Sequence, residues 1–328
     1  MSAYAELAVT TNFSFLRGAS HAEELVMQAV KLGLSAIGVA DRNTLAGVVR
    51  AHIAAREIGL RVLVGARLVP EDGPELICYP TDRAAYGRLS RLLSHGKLRA
   101  EKGACRITLA DIEAHAEGQV FIAVPPDQPD PAFAADLARL SACWPGQLYL
   151  GARFTYQGRN RERLARLAEL GARAGVALVA INDVLYHVAE RRPLQDVLTC
   201  ISEHCTIETT GFRLESHSER HLKGPAEMAR LFKGFEPALA RTQEIVARCR
   251  FNLDELAYEY PDETVPEGKT AQQHLVALTW KGASWRYPDG MPASVKATLN
   301  KELGLIETLD YAPYFLTVND IVAWARSQ

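Results

Sequence analysis

The chain has 328 residues, which is long for one domain and sufficient for two. A formal net charge of -2 argues against an overall electrostatic drive toward nucleic acid, although it allows a local basic patch. The six cysteines form no CxxC pair and no zinc-ligand spacing, which is typical of reduced thiols in a cytosolic protein. No apolar run approaches the ~20 residues of a membrane span, and no signal pattern opens the sequence. We therefore expect a cytoplasmic protein without a membrane partner.

Short apolar runs alternate with helix-like segments over the first half of the chain, which predicts an α/β fold. The predicted strands are residues 5–10, 35–40, 61–66, 75–79, 119–124, 147–153 and 178–183. Helices are predicted between them at 22–32, 45–57, 83–94 and 159–174, three of them ending at a glycine. Ser20 is the predicted N-cap of the first helix, with Glu23 completing a capping box. Because these runs are apolar throughout, the pattern indicates a parallel (β/α)7 barrel buried on both faces.

The pattern changes beyond residue 191. Helices are predicted at 193–202, 225–232 and 236–249, with an irregular polar stretch at 206–222. A proline-containing linker is predicted at 256–268, and residues 269–328 are expected to be mainly helical, with a break near Pro288 and Pro292. Thr317 or Asn319 could cap the last helix. An apolar helix at the end of the sequence is typical of a domain whose remainder is absent.

Polar and charged side chains follow the predicted strands, at the end of the sheet where α/β folds bind ligands. They are Glu6, Thr10, Asp41, Arg42, Arg67, Glu75, Arg153 and Asp183. A metal-dependent phosphoesterase needs several His and carboxylate ligands here, but arginine stays protonated and does not bind metal. The sequence therefore predicts a salt-bridged pocket without metal. The alternative is a residual phosphoesterase with one metal, held by Asp41, Asp183, Glu6, Glu75 and His187.

Other residues give weaker signals. His187 follows the last strand and is interpreted as a loop histidine with its hydrogen bonds satisfied. The basic helical faces at 88–99 and 159–173 are interpreted as solvated surfaces, with contact to a DNA backbone as the alternative.

Several segments resemble motifs of the PHP (polymerase and histidinol phosphatase) domain of C-family bacterial DNA polymerases. They are Tyr4-Ala-Glu-Leu-Ala-Val-Thr-Thr-Asn-Phe-Ser-Phe-Leu-Arg-Gly-Ala19, Ala36-Ile-Gly-Val-Ala-Asp-Arg-Asn-Thr-Leu-Ala-Gly47, Val64-Gly-Ala-Arg67 and Val179-Ala-Ile-Asn-Asp-Val184. Residues 311–322 resemble the start of the palm/thumb region. Residues 12–21 and 41–50 are most similar to the error-prone, damage-induced branch. The resemblance implies a distorted seven-stranded barrel with a helical extension over 1–255 (core barrel about 1–205), and a truncated start of the palm/thumb at 269–328.

The resemblance also implies where the family's metal ligands would fall in this sequence. With Glu6 beside them, they form a vestigial site at Ala8, Thr10, Arg17, Asp41, Arg42, Arg67, Glu75, Asp183, Leu185 and Gln195. Only Asp41 and Asp183 keep the ligand of the family pattern. In active relatives the site supports phosphoesterase or 3′–5′ exonuclease activity, so no catalytic residue is expected here. We also expect Arg17, Arg42 and Arg67 to replace the charge of the lost cations.

For the whole protein, the resemblance implies a DNA-directed DNA polymerase in translesion synthesis, SOS-induced mutagenesis and DNA repair. Its catalytic aspartates and two palm Mg²⁺ ions would lie beyond Gln328, so no cofactor is expected in this chain. The implied partners are the rest of the polymerase and DNA, with mutagenesis-complex proteins and the sliding clamp as further candidates. The barrel is expected to be an inactive structural or interaction module.

Overall fold

The structure is a computed structural model in which the chain forms two units. A sheet of seven strands organises the first unit. The strands, in spatial and chain order alike, are β1 Ala5–Val9, β2 Ala36–Arg42, β3 Arg61–Leu68, β4 Leu76–Pro80, β5 Gln119–Ala123, β6 Leu148–Ala152 and β7 Ala177–Ala180. Residues 3–256 and 265–328 are described. Each strand overlaps a predicted run, so the seven-stranded prediction is confirmed.

The strand β4 runs against its neighbours, because it pairs antiparallel with both β3 and β5. The prediction of a fully parallel sheet is therefore wrong for this strand. Only residues 69–75 connect β3 to β4, which is shorter than the crossover that a parallel neighbour requires. The reversal places the beginning of β4 at the end of the sheet where the parallel strands finish.

The sheet curls until its two edges meet just beyond the ends of β1 and β7. Val9 forms a parallel bridge with Val184. The backbone N–H of Thr10 donates to the carbonyl of Val184 at 2.9 Å, and that of Val184 donates to the carbonyl of Ala8 at 2.8 Å. These bonds close the barrel at the edge where β7 delivers its terminal polar residues.

Nine α-helices accompany these strands within residues 3–256. They are α1 Ala22–Lys31, α2 Val48–Ile58, α3 Arg83–Leu98, α4 Leu109–Ala114, α5 Pro131–Cys143, α6 Asn160–Ala174, α7 Arg192–Ser202, α8 Pro225–Leu231 and α9 Glu236–Arg248. Neither α4 nor α5 was predicted from the sequence. The second lies behind a proline-rich loop, yet Asp130 caps it by accepting the N–H of Phe133 at 2.8 Å, and Pro131 suits a first helical position.

The first helix begins at Ala22 as predicted, but its N-cap lies one residue later than predicted. His21 is the N-cap of α1, and its N–H donates to Glu24 Oε2 at 2.9 Å. The predicted cap, Ser20, instead contacts the ring of His187. A capping pattern therefore identified the right turn but the wrong residue.

The barrel interior is packed, and α9 covers the end where the parallel strands begin. Tyr79 is fully buried, and its hydroxyl donates to the carbonyl of Leu7 at 2.7 Å. A Cβ at Gly38 would lie 2.2 Å from the Tyr79 oxygen, so only glycine leaves room for the ring. Thr242 of α9 accepts the N–H of Ala5 at 3.3 Å. The opposite end remains free to carry a site.

The second unit, described over residues 265–328, is helical as predicted. Its helices are α10 Ala271–Arg286, α11 Ala293–Thr308 and α12 Ala312–Ser327, with Leu275, Leu303, Ala312 and Leu316 at their core. The predicted caps Thr317 and Asn319 are wrong, because both lie inside α12 and the Thr317 hydroxyl donates to the carbonyl of Pro313 at 3.1 Å. Most of the predicted linker, residues 257–264, lies outside the described residues. No helix in the described ranges is long and apolar enough to cross a membrane.

Replacing Gly38 by alanine tests the packing of the barrel interior. The new methyl would collide with Tyr79, so we expect Gly38→Ala to lower the free energy of unfolding by about 1–3 kcal/mol. Gly87, exposed on α3 with nothing within 4 Å of an added Cβ, is the control; Gly87→Ala should raise that free energy by about 0.5–1 kcal/mol. Urea denaturation measures both. Equal midpoints for Gly38→Ala and the wild type would mean that the ring moves aside freely.

Candidate functional site

A cluster of arginines surrounds Asp183 where the parallel strands end; we call it the Asp183 cluster, formed by Asp183, Arg67, Arg153 and Arg220. Arg67 pairs with Asp183 through Nη2 and donates from Nη1 to Glu75 Oε2 at 2.9 Å. The Nη2 atom of Arg220 lies 2.6 Å from Asp183 Oδ2, and Nη1 of Arg153 lies 3.8 Å from the same oxygen. Both carboxylate oxygens of Asp183 therefore face guanidinium groups.

The Asp183 cluster is shielded from solvent. Arg67 is 1% exposed and Asp183 is 3% exposed. Burial alone would raise the pKa of Asp183, but the nearby charges of Arg220, Arg67 and Arg153 hold that pKa well below its ordinary range. Asp183 is thus an ionised carboxylate whose negative charge is balanced by arginine.

Arg220 reaches the cluster from the irregular stretch that precedes α8. Its carbonyl accepts the N–H of Leu185 at 2.9 Å, and its Nε donates to the carbonyl of Asp183 at 2.8 Å. The side-chain amide of Asn182 donates to the carbonyls of Glu219, at 3.0 Å, and His221, at 2.6 Å. The stretch is therefore fixed over the end of β7. Nothing in the single sequence distinguishes the buried Arg220 from the exposed arginines of the chain, so the sequence did not predict its place in the cluster.

Arg17 lies beside the cluster without joining an ion pair. Burial lowers its pKa to about 10, with the like charges of Arg67 and Arg220 acting in the same direction. No carboxylate within the described residues lies in salt-bridge range of Arg17, and its Nε has no hydrogen-bond partner there. The pKa of Glu75 is lowered. Burial alone would raise it, but the positive charges of Arg67 and Arg17 outweigh burial. Arg17 is a protonated guanidinium that no nearby carboxylate neutralises by direct contact.

Asp41 is fully buried, but hydroxyl and backbone groups hold it, not arginines. It accepts from the N–H of Thr11 at 2.8 Å, the Thr11 hydroxyl at 2.7 Å and the Ser14 hydroxyl at 2.7 Å. Burial raises its pKa, and these hydrogen bonds oppose the rise. A Cβ at Gly47 would lie 2.3 Å from Asp41 Oδ2. The carboxylate therefore anchors the loop that follows β1.

Arg42 does not replace cation charge as expected. It is exposed, and within residues 3–256 and 265–328 it forms no ion pair. Its backbone N–H donates to the Ser14 hydroxyl at 2.9 Å. The expectation fails because Asp41, the adjacent carboxylate, has already taken hydrogen bonds from Thr11 and Ser14.

Glu6 is buried in the barrel wall, away from solvent. It accepts from the Tyr4 hydroxyl at 2.7 Å, the N–H of Asn182 at 2.8 Å and the N–H of Ala8 at 2.9 Å. Burial raises its pKa to about 7 despite these hydrogen bonds. The carboxyl group ties β1 to the end of β7.

The remaining predicted site residues are buried or half-buried among protein side chains. The ring of His187 lies 2.8 Å from the Ser20 hydroxyl through Nδ1, and burial lowers its pKa. Leu185 packs with apolar neighbours. The Thr10 hydroxyl and the side-chain carbonyl of Gln195 are buried, and neither finds a hydrogen-bond partner in the described part of the chain.

A metal centre does not fit these residues. Among the described residues, no group of three or more His, Cys, Asp or Glu side chains is arranged to hold a metal ion. Each nominated ligand is committed elsewhere: Asp41 to Thr11 and Ser14, Asp183 and Glu75 to arginines, and His187 to Ser20. Two cationic side chains, Arg67 and Arg220, also lie where a divalent cation would require anionic ligands.

Most of the chain is similar to known proteins. The PHP domain profile matches residues 6–178, and the profile described as bacterial DNA polymerase III alpha NTPase domain matches residues 273–328. An error-prone DNA polymerase of Caulobacter vibrioides is 57% identical over 99% of this chain, and one of Brucella abortus is 51% identical over all of it. This chain spans about 30% of their length. An amidohydrolase of Chromobacterium violaceum is 15% identical, with a TM-score of 0.41 over 56% of this chain and 88% of its own.

Truncating Arg67 tests whether the Asp183 cluster stabilises the barrel. Removing Arg67 leaves Glu75 without its ion pair and the buried Asp183 with one counter-charge fewer, so Arg67→Ala should lower the free energy of unfolding by about 3–5 kcal/mol and the melting temperature by several degrees. Arg42→Ala is the matched control, since Arg42 pairs in register with Arg67 but is exposed; it should change the melting temperature little. Equal melting temperatures for Arg67→Ala and the wild type would contradict a structural role for the cluster.

The pH dependence of stability should reveal Glu6. Its folded-state pKa of about 7 lies above its ordinary value of 4.5, so its contribution to stability is present below that ordinary value and is lost as pH rises through about 7. Relative to Glu6→Gln, the wild type should lose ~2 kcal/mol of unfolding free energy between about pH 5 and 8. Urea unfolding at several pH values measures the difference. Parallel pH profiles for the two proteins would contradict the raised pKa.

Proposed function

The chain belongs to the PHP domain family, and from that premise we propose that it is the N-terminal part of an error-prone DNA polymerase whose barrel is an inactive structural module. The observation that carries this proposal is the pairing of Asp183 with Arg67 and Arg220. Two guanidinium groups beside a carboxylate neutralise its charge and repel an approaching cation, because arginine stays protonated. The barrel therefore supports the chain through ion pairs instead of metal ligation.

The whole protein would act as a DNA-directed DNA polymerase in translesion synthesis, induced mutagenesis and DNA repair. The names and identities of the relatives support this assignment, and so does the profile match at residues 273–328. In such a protein, two Mg²⁺ ions in the palm would supply the charge stabilisation for nucleotide transfer. The partners would be the rest of the polymerase chain and DNA, with mutagenesis-complex proteins and the sliding clamp as further binders.

A residual phosphoesterase with one metal is the second candidate function. It would need Asp41, Asp183, Glu75 and His187 to abandon their present partners. Freeing Asp183 would leave Arg67 and Arg220 buried without their shared counter-charge, which is costly. This cost favours the structural module.

Elemental analysis of the purified chain, with a phosphodiesterase assay supplemented with manganese and zinc, separates the two functions. We expect far less than one metal per chain and no turnover, because the nominated ligands are already paired. Stoichiometric metal that is lost in Asp41→Ala or Asp183→Ala, but kept in the exposed control Asp289→Ala, would contradict the structural module.

A further inference from the structure

A groove of about 950 Å³ lies between α5, α6 and the loops that lead into these helices. Ala134 of α5 and the two leucines Leu167 and Leu170 of α6 give it an apolar floor. Leu167 is 1% exposed and Leu170 is 9% exposed, so both are covered by the groove walls. Pro129 and Pro131 also line the groove. It can therefore hold apolar side chains of a bound molecule.

Four arginines line the same groove. They are Arg159, Arg163, Arg166 and Arg173. Arg159 is the N-cap of α6, and the other three follow within that helix at spacings of four, three and seven residues. Such spacings place side chains along one side of a helix. Within the described ranges, none of the four forms an ion pair. The groove therefore carries a row of positive charges without direct counter-charges.

Arg163 places one of these charges at the buried side of the groove. It is 6% exposed, and its Nε donates to the carbonyl of Asp127 at 3.0 Å. Its terminal nitrogens donate to the carbonyls of Arg153, at 2.9 Å, and Pro126, at 3.1 Å. Burial lowers the pKa of Arg163 to about 10, and the like charge of Arg153 acts in the same direction. Backbone carbonyls thus fix the guanidinium group without neutralising its charge.

The other polar groups of the groove favour a peptide over a nucleic acid. Asp127, Asp130 and Glu169 also line it and would repel a continuous run of phosphates. Among the described residues of the lining, none has an aromatic ring on which bases could stack. A peptide can instead place single carboxylates beside the arginines and apolar side chains on the leucine floor. Such a peptide is complementary to the groove in both charge and polarity.

We propose that this groove binds an acidic, leucine-containing peptide segment of a partner protein. The carboxylates of the peptide pair with Arg166 and Arg173, since the guanidinium fork matches the geometry of a carboxylate. Its apolar side chains pack on Leu167 and Leu170, and their burial supplies affinity. The inference goes beyond the proposed function, because none of the described residues that line the groove belongs to the Asp183 cluster.

Fluorescence anisotropy on the whole chain, in EDTA and at low salt, tests the inference with a labelled peptide of repeated Glu-Glu-Leu-Leu units. Arg166→Gln with Arg173→Gln should weaken binding about fivefold and reduce its salt dependence, because two exposed ion pairs are lost. The matched control is Arg83→Gln with Arg91→Gln, an equal charge change at exposed positions of one helix outside the groove; it should leave binding unchanged. A second peptide, with asparagine in place of leucine, should bind about tenfold more weakly, since it buries less apolar surface.

The outcomes are distinct. Equal weakening in the two double variants, equal affinity for the two peptides, or no binding by the wild type would overturn the proposal. An oligothymidylate that displaces the peptide, and whose own binding is weakened by Arg166→Gln with Arg173→Gln, would replace it with a nucleic-acid site. Because EDTA is present throughout, these results do not depend on metal. Bound metal in the elemental analysis would contradict the proposed function and leave this inference standing.

Discussion

The ion pair between Arg67 and Asp183 is the interaction on which the end of the barrel where the parallel strands finish depends. Neither side chain has appreciable contact with water, so each is tolerable only because groups of opposite charge lie beside it. Asp183 also pairs with Arg220, which lies in the stretch fixed over β7. Arg67 also pairs with Glu75, at the beginning of β4. One carboxylate thus joins three separate parts of the chain. The positions of β3, β7 and the stretch before α8 are linked through charge compensation.

Asp41 and Asp183, two buried aspartates at the strand ends, are stabilised in different ways. Asp183 is neutralised by guanidinium groups, which keep its pKa low. Asp41 is held by two hydroxyls and a backbone N–H, and burial raises its pKa. The first arrangement balances charge within the barrel. The hydrogen bonds to Asp41 fix the loop that carries Phe15 and Arg17. An aspartate therefore balances charge at one strand end and fixes backbone geometry at the other.

Sequence reasoning succeeded where residue type alone decides the outcome. Seven apolar runs could be read as strands, and the chemistry of arginine indicated that Arg67 sits in a salt-bridged pocket. It failed where tertiary packing decides. The direction of β4 depends on a short connection, the exposure of Arg42 depends on the hydrogen bonds that Asp41 has already formed, and Arg220 arrives from a stretch without periodicity. Even the N-cap of the first helix is His21 and not Ser20, since the Ser20 hydroxyl contacts His187.

The sharing of Asp183 by two arginines has an evolutionary consequence. A single substitution that replaced Arg67 by a metal-binding residue would leave Glu75 without its ion-pair partner and Asp183 with one guanidinium fewer before any cation could bind. Each intermediate on that path would have a lower free energy of unfolding than either end point, and domains are only marginally stable. Several positions would have to change together. Under the function proposed above, the present ion pairs are therefore maintained by the instability of every single-substitution path that leads away from them.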